Sequence, residues 1–303
     1  MTTPLRAGDQ TYPAILAAIP SPPPLYIVGT ITPEDCLAVA IVGSRRATPY
    51  GLEVAEHLAA ELALRGVTIV SGLARGIDTA AHRGALSAHG RTLAVLGSGT
   101  DVIYPSENRR LAAEIARQGA VVSQFPQGTT PRPWHFPLRN RTLAGLALGV
   151  VVVEADERSG ALITAGLAAD LGREVFAVPG KITSAMSQGP HRLIQDGAKL
   201  VRDWADVVQE LPEHWRRAVR VPSTCPRAAS PPSDRTLAGR VLTLLATDEP
   251  RQIDELIGEG VAAAEVAAVL MDLEIAGWVR QLPGQRWVAT RGSGGPLVAR
   301  QQR

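Results

Sequence analysis

Short apolar runs without polar alternation recur through the first two thirds of the chain, at 37–42, 67–70, 92–96, 120–123, 149–153 and 174–178. Runs of four to six residues, rich in Val, Ile and Leu, with Thr68 the one polar residue inside them, predict strands covered on both faces of a parallel sheet. Most are followed by a small, polar turn and then by apolar positions at helical spacing. Leu52, Ala55, Leu58, Ala59 and Leu62 form one such stripe, and further helices are predicted over 79–89, 107–117 and 161–171, with another opening at Arg139. Strand, turn and helix in repetition predict an α/β fold with a doubly wound, mostly parallel sheet. Residues 198–201 add a short last strand. Residues 1–37 read as an irregular lead-in, stiffened by the prolines at 20–24, with a short edge strand at 25–29.

The pattern changes after residue 212. A segment dense in proline, serine and arginine over 213–234 predicts a linker. Beyond it, 237–245, 253–257 and 261–275 carry helical patterns. Apolar stretches around Trp278 and Trp287, flanking Pro283-Gly284, predict a hairpin. Three helices and a hairpin predict a small winged-helix-like domain over 235–291, followed by a tail at 292–303. Its third helix is alanine-rich and acidic rather than rich in Arg, Lys, Asn or Gln, which favours a protein-contact or structural role over reading duplex bases.

At 303 residues the chain holds one large domain and a small one. No apolar run reaches the roughly 18 residues needed to span a bilayer, and the first residues lack a signal-peptide core. Cys36 and Cys225 are too far apart in sequence to suggest a disulfide framework or metal site, so a reducing cytoplasm is the expectation. A formal charge of +2 does not by itself point to nucleic acid. Only Lys181 and Lys199 are lysines; the other cations are arginines, the better fork for phosphate and the better plate for stacking.

The positions of those arginines matter more than their number. The first strand ends in Gly43-Ser44-Arg45-Arg46, the second leads into Gly72 and Arg75, and the fifth leads through Glu154 to Ser159-Gly160 and a helix bearing Thr164. In a parallel sheet these turns lie on one edge, where ligands bind, and glycine, hydroxyl and arginine at a helix start suit an anion. Upstream of the fifth strand, Arg132, Trp134, His135 and Phe136 sit in a proline-bearing loop before Arg139-Asn140-Arg141. Cations beside exposed rings suit a phosphate-bearing ligand with stackable bases, although Phe136 and Trp134 could equally anchor the loop in the core. Asp78 reads as a helix N-cap and His82 as a structural histidine. The turn at Gly97-Ser98-Gly99 lacks the third glycine of a dinucleotide fingerprint, and Gly180-Lys181 lacks the upstream glycine of a P-loop.

Taken together, IVGSRRATPYG, VSGLARGIDTAAHRGAL, VLGSGTDVIYPSENRRL, the stretch from HFPLRNRTLAG to FAVPG, and QGPHRLIQDGA resemble the DNA-processing protein A (DprA/Smf) family over residues 25–203. The resemblance implies an extended Rossmann-like domain that binds single-stranded DNA. It also implies a homodimer that protects incoming DNA and helps load the RecA recombinase during natural transformation. Neither a cofactor nor turnover is expected. By the same resemblance Ser44, Arg45 and Arg46 match the phosphate site and Phe136 the base-stacking ring. Arg139, Asn140 and Arg141 match the adjoining basic helix start, and Ser159, Gly160 and Thr164 the loop and helix after the central strand. Gly43, Gly72, Arg75, Arg132 and Lys181 complete the expected DNA-binding set. Leu73 stands where the family often has glycine, His191 where it often has asparagine, and Pro133-Trp134 replace a segment that is often lysine-bearing.

Two rival readings stay open at this point. One is a nucleotide N-glycosidase on a related scaffold with Glu154 as catalytic carboxylate, although the loop after Glu154 lacks the Pro-Gly-Gly-x-Gly-Thr run of such enzymes. The other is a duplex-binding factor acting through the winged helix.

Overall fold

The computed structural model describes residues 3–220, 232–233, 236–245, 250–256, 262–276, 278–282, 284 and 286–289. It divides into two compact units, 1–221 and 222–303, taken separately below.

The first unit is built on an eight-stranded sheet: β1 (Tyr26–Gly29), β2 (Ala38–Val42), β3 (Thr68–Ser71), β4 (Thr92–Leu96), β5 (Ala120–Ser123), β6 (Gly149–Val152), β7 (Glu174–Ala177) and β8 (Lys199–Leu200). Their order across the sheet is β1-β5-β4-β3-β2-β6-β7-β8, with only the edge strand β1 antiparallel. Beyond β2 the chain winds one way through β3, β4 and β5; beyond β6 it winds the other way through β7 and β8. Strand order therefore reverses between β2 and β6, the switch point at which open α/β sheets leave a crevice for ligands. The register pairs Val39 with Gly149 and Val42 with Val152, so the two strands end side by side.

Alternate residues of these strands feed two apolar layers. Val39, Ile41, Ile69, Val151 and Phe176 pack against α2 (Pro49–Leu64), α3 (Ile77–Ser87) and α8 (Trp204–Glu210). Ala38, Ala40, Val42, Val150 and Val152 pack against α5 (His135–Gly145), α6 (Gly160–Asp170) and the lead-in, which carries α1 (Ala14–Ala17). Three short or peripheral helices complete the unit: α4 (Arg109–Gln118), α7 (Gln188–Gln195) and α9 (Glu213–Arg216). Helix α2 starts where sequence requires it: the Thr48 hydroxyl accepts from the Gly51 amide, and Pro49 fills the first position, where no amide hydrogen is needed.

Several expectations are corrected. Helix α5 begins at His135, one turn before Arg139, so Phe136 and Pro137 lie in its first turn and not in a loop. The N-cap of α3 is Gly76, at φ 74°; Asp78 instead lies within the helix and accepts from the amides of Gly72 and Ala74. The compact unit runs on through α9, whose Trp215 packs with Val219 on the α2 layer, inside the stretch expected to be linker. Residues 221–231, including Cys225, lie outside the described residues. The lead-in is also more ordered than its composition suggests. Tyr12, Leu16, Ile19 and Leu25 are buried, and Leu5 pairs with Leu25. Leu73 has φ 58°, a left-handed conformation that costs a non-glycine residue about 1–2 kcal/mol. Its side chain is fully buried beside Leu96, Leu111 and Ile115, which offsets that cost by a similar amount.

The second unit contains α10 (Leu237–Leu244), a short strand β9 (Arg251–Gln252), a three-ten turn at Ile253–Glu255, α11 (Ala263–Ile275), and the hairpin β10 (Val279–Leu282) with β11 (Arg286–Ala289). The strands form a sheet of order β10-β11-β9 over a core that includes Val241, Val266, Leu270 and Trp287. Helix at 253–257 was expected; the described part of that stretch forms the three-ten turn and the end of its cap. Among the described residues no helix is long and apolar enough to cross a membrane.

Candidate nucleic-acid interface

A cleft of about 830 Å³ opens at the carboxyl ends of β2 and β6. It is walled by the 43–46 loop, by Ala74 and Asp78 at the start of α3, by one face of α5, and by the loop and first turns of α6. Helices α5 and α6 both point their amino termini at it, so their backbone dipoles add positive potential to the charged side chains there. Four arginines (45, 46, 139 and 158) and two aspartates (78 and 156) line it.

The charges divide by depth. At the floor, Arg139 is 4 % exposed and its guanidinium donates to the Val95 carbonyl at 3.2 Å, while its Nε has no partner among the described residues. Burial lowers its pKa, an effect countered by the nearby Asp78 carboxylate and reinforced by Arg45. Burial pushes Asp78 the other way, upward, while Arg139 and the Gly72 and Ala74 amides pull it down. Gly72 is the reason Arg139 fits: a Cβ there would lie 1.4 Å from Nη1. Arg139 and Asp78 thus form a buried, mutually compensating floor, which is costly to break by removing one member. Arg45, Arg46 and Arg158 are exposed and make no ion pair among the described residues.

The anion-cradling amides expected after β2 are largely committed within the protein. The Ser44 amide donates to the Glu154 carbonyl at 2.7 Å, and its hydroxyl accepts from the Arg46 amide at 3.0 Å. Gly43 is needed because a Cβ would lie 2.6 Å from Ile77 and 2.7 Å from the Glu154 carbonyl. This loop therefore offers an anion two guanidinium groups on a rigid base. Ser159 caps α6 by accepting from the Ala161 amide, and Thr164 donates to the Gly160 carbonyl. Asn140 reaches the same carbonyl at 3.5 Å.

The half-buried Phe136 ring stands at the cleft wall. The Arg45 guanidinium lies 5.2 Å from its centroid, that of Arg139 lies 6.0 Å away, and Tyr104 approaches at 6.1 Å. A Cβ at Gly97 would lie 3.1 Å from the ring, so glycine there lets the ring rest on backbone. His135, one residue earlier, is buried, stacked on Phe125 at 4.2 Å and bonded to the Gly97 carbonyl, which anchors the first turn of α5.

Of the sequence-predicted residues, the cleft gathers Gly43, Ser44, Arg45, Arg46, Phe136, Arg139, Asn140, Ser159, Gly160 and Thr164. Gly72 lies beneath Arg139. Arg132 sits outside the lining, its guanidinium 5.3 Å from the exposed Trp134 ring. Arg75 also lies outside, donating through Nε and Nη2 to both oxygens of Glu107 at 2.8 Å. Arg141 points elsewhere, donating to the Pro20 and Ser21 carbonyls of the lead-in. Lys181 is exposed in the segment after β7, away from the lining. Sequence reading missed Arg158 and Ile163 on the cleft. The signal was present: Gly160, Ile163 and Thr164 share a helical face, as do Phe136, Arg139, Asn140 and Leu143, whereas Arg141 is rotated about 200° from Arg139.

Glu154 does not line the cleft. Its carboxylate accepts from the Thr48 amide and hydroxyl at 2.8 and 2.6 Å and packs on Gly51, where a Cβ would lie 2.3 Å from Oε2. Burial raises its pKa, partly countered by the Thr48 bonds. It anchors the start of α2. The departures in sequence are similarly absorbed: His191 Nε2 lies 3.0 Å from the Gly180 carbonyl.

Comparison with known proteins adds an independent line. A family model described as DNA recombination-mediator protein A matches residues 3–212, and one described as the DprA winged helix domain matches 226–285. Protein Smf of Escherichia coli (strain K12) is 41% identical over 287 residues, covering 92% of this chain and 75% of its own. DNA processing protein DprA of Bacillus subtilis (strain 168) is 45% identical over 208 residues, covering 68% and 70%. Among solved structures, DNA processing protein A of Streptococcus pneumoniae superposes with a TM-score of 0.63 at 46% identity, covering 67% of this chain and 72% of that one. DNA processing protein A of Helicobacter pylori, whose structure concerns a unique single-stranded DNA binding mode, superposes with a TM-score of 0.61 at 30% identity, covering 69% and 97%.

Proposed function

The chain belongs to the DNA recombination-mediator protein A (DprA/Smf) family, and from that premise we propose that its switch-point cleft holds a single strand of DNA without turning it over. The observation that carries the reading is that exposed Arg45, Arg46 and Arg158 line one cleft with the half-buried Phe136 ring, which Arg45 approaches to 5.2 Å. Guanidinium groups track phosphates whatever the sequence, and a ring accepts any base face, so the ligand is a strand with unpaired bases. The Helicobacter pylori relative named for single-stranded DNA binding supports the same ligand class.

The finer reading follows the family. The protein acts as a homodimer in the cytoplasm, shields incoming DNA during natural transformation and helps place RecA on it. A nucleotide N-glycosidase is disfavoured because its candidate carboxylate, Glu154, is bonded to Thr48 and turned from the cleft.

The test is a gel shift of full-length protein with single- and double-stranded DNA of equal length across a salt series. We expect single strands to bind more tightly, with affinity falling as salt rises by about 0.7 in log–log slope per phosphate contact. The double substitution Arg45→Glu and Arg46→Glu should abolish binding with the melting temperature preserved. Full binding by that folded variant would move the site elsewhere. RecA delivery is read separately, as a shortened lag in RecA filament assembly on strands coated with single-strand-binding protein; an unchanged lag counts against that step alone.

A further inference from the structure

Next to the cleft stands an exposed ring that is not among the residues lining it. Tyr104, in the loop after β4, is 44% exposed, and its ring centroid lies 6.1 Å from that of Phe136 at an interplanar angle of 51°. Three residues on, Glu107 holds the exposed Arg75 through two bonds of 2.8 Å. Arg75 is itself the neighbour of Ala74, which lines the cleft. Arg45, Phe136 and Tyr104 are thus successive neighbours, and Arg75, next to the Gly76 that abuts the Arg45 backbone, lies alongside them.

Resting on the single-strand reading above, we propose that Tyr104 is a second base-stacking platform. Arg75 is the phosphate-binding cation that serves it, held by Glu107 until a strand arrives. The spacing carries the argument. Ring centres 6.1 Å apart are separated by nearly twice the rise of about 3.4 Å per nucleotide in a stacked strand. Neighbouring bases seated on the two tilted rings must therefore part from each other, which an unpaired strand does at little cost and a duplex does not. The Arg75–Glu107 pair is more than half exposed on both sides, with side-chain exposures of 56% and 54%. Such a pair is a weak restraint that a phosphate can displace. Glu107 then acts as a competitor for Arg75, tuning affinity downward in the free protein.

The test is fluorescence anisotropy of labelled oligothymidylate on the full chain, for the parent and for Tyr104→Ala, Tyr104→Phe, Glu107→Gln and Glu107→Gln with Arg75→Ala. Melting is followed for each, and Phe136→Ala serves as reference. Tyr104→Ala should weaken binding roughly five- to a hundred-fold, the loss of one stacked base, and Tyr104→Phe should restore it. Glu107→Gln should tighten binding with the log–log salt slope unchanged, because Arg75 makes its phosphate contact in the parent as well. That gain should vanish in the Arg75→Ala background. If folded Tyr104→Ala binds like the parent while Phe136→Ala does not, the second platform is wrong and the cleft reading stands. If Glu107→Gln tightens binding equally without Arg75, the held-cation role is wrong. If neither ring matters, the cleft reading itself falls.

Discussion

Replacing Phe136 with alanine separates a ring that serves the fold from one that serves a ligand. A fully buried phenylalanine costs about 3–5 kcal/mol of stability when truncated. Phe136 is only half-buried, resting on Gly97 with Tyr104 beside it, so about 1–2 kcal/mol is expected. Its cation–ring contacts with Arg45 and Arg139 add about 0.5–1 kcal/mol. For a unit of this size each kcal/mol shifts the melting temperature by about 2–4 °C, so a fall of roughly 3–12 °C leaves the variant folded at 25 °C. Binding should suffer independently. One lost stacked base is worth about 1–3 kcal/mol, or roughly five- to a hundred-fold in Kd. Because no phosphate contact is removed, the log–log salt slope should hold to within less than the 0.7 of one contact. Calorimetric melting and anisotropy on the same preparation give both quantities. A Kd equal to the parent's, once corrected for the folded fraction, refutes the stacking role.

Three further outcomes follow from buried groups. His82 donates from Nδ1 to the Thr92 hydroxyl, whose own proton goes to the Ile69 carbonyl, and burial lowers its pKa to about 3, with Arg139 adding to the fall. Its contribution to stability is present above the ordinary histidine pKa of about 6.5 and is lost as pH falls toward 3. Between pH 7.5 and 5 the loss is about 2 kcal/mol, read by urea unfolding, and His82→Gln should flatten that slope; an unchanged slope refutes the assignment. Glu154, with its pKa raised by burial, contributes most at low pH and loses that contribution as pH rises through its raised value. Glu154→Gln can still accept from the Thr48 amide and donate to its hydroxyl, so at pH 7.5 melting should be unchanged or higher and DNA binding intact, and a clear fall in Tm contradicts this. Gly72→Ala forces the buried Arg139 off its site, away from the Val95 carbonyl and the nearby Asp78 charge, and should cost about 3–5 kcal/mol, the penalty for leaving a buried charge uncompensated; a circular-dichroism melt within a degree of the parent's overturns the account of the floor.

The parallel sheet was legible because its strands are short, mostly apolar runs without alternation, and β4 and β5 span the residues the pattern gives them. Strand-end arginines were legible for a related reason: Arg45 and Arg46 follow an apolar run directly and have nowhere to go but the sheet edge. Direction around a helix was not legible while the start of α5 was placed a turn late. With His135 as its first residue, Phe136, Arg139 and Asn140 fall on one face and Arg141 on the opposite one, which sends Arg141 to the lead-in. Depth was harder still. Nothing in a run of Arg and Asn says that the first arginine is sunk against Gly72 and the Val95 carbonyl, because the space for it is made by residues 44 and 67 positions away. Partners likewise hid the role of Ser44, whose hydroxyl is spent on a neighbour two residues on.

The lead-in gives these observations a practical edge. Leu16 and Ile19 press so closely on α5 that a Cβ at Gly145 would lie 2.7 and 3.1 Å from them. Arg141 and Arg173 grip lead-in carbonyls at Pro20 and Ile15, and Tyr12 bonds to Pro23. The helix that carries Phe136 at its first turn is thus braced along its length by residues more than a hundred positions earlier. Shortening the chain at its beginning would loosen that brace, and a DNA-binding defect in such a shortened protein would report the pose of a ring rather than the loss of a ligand contact.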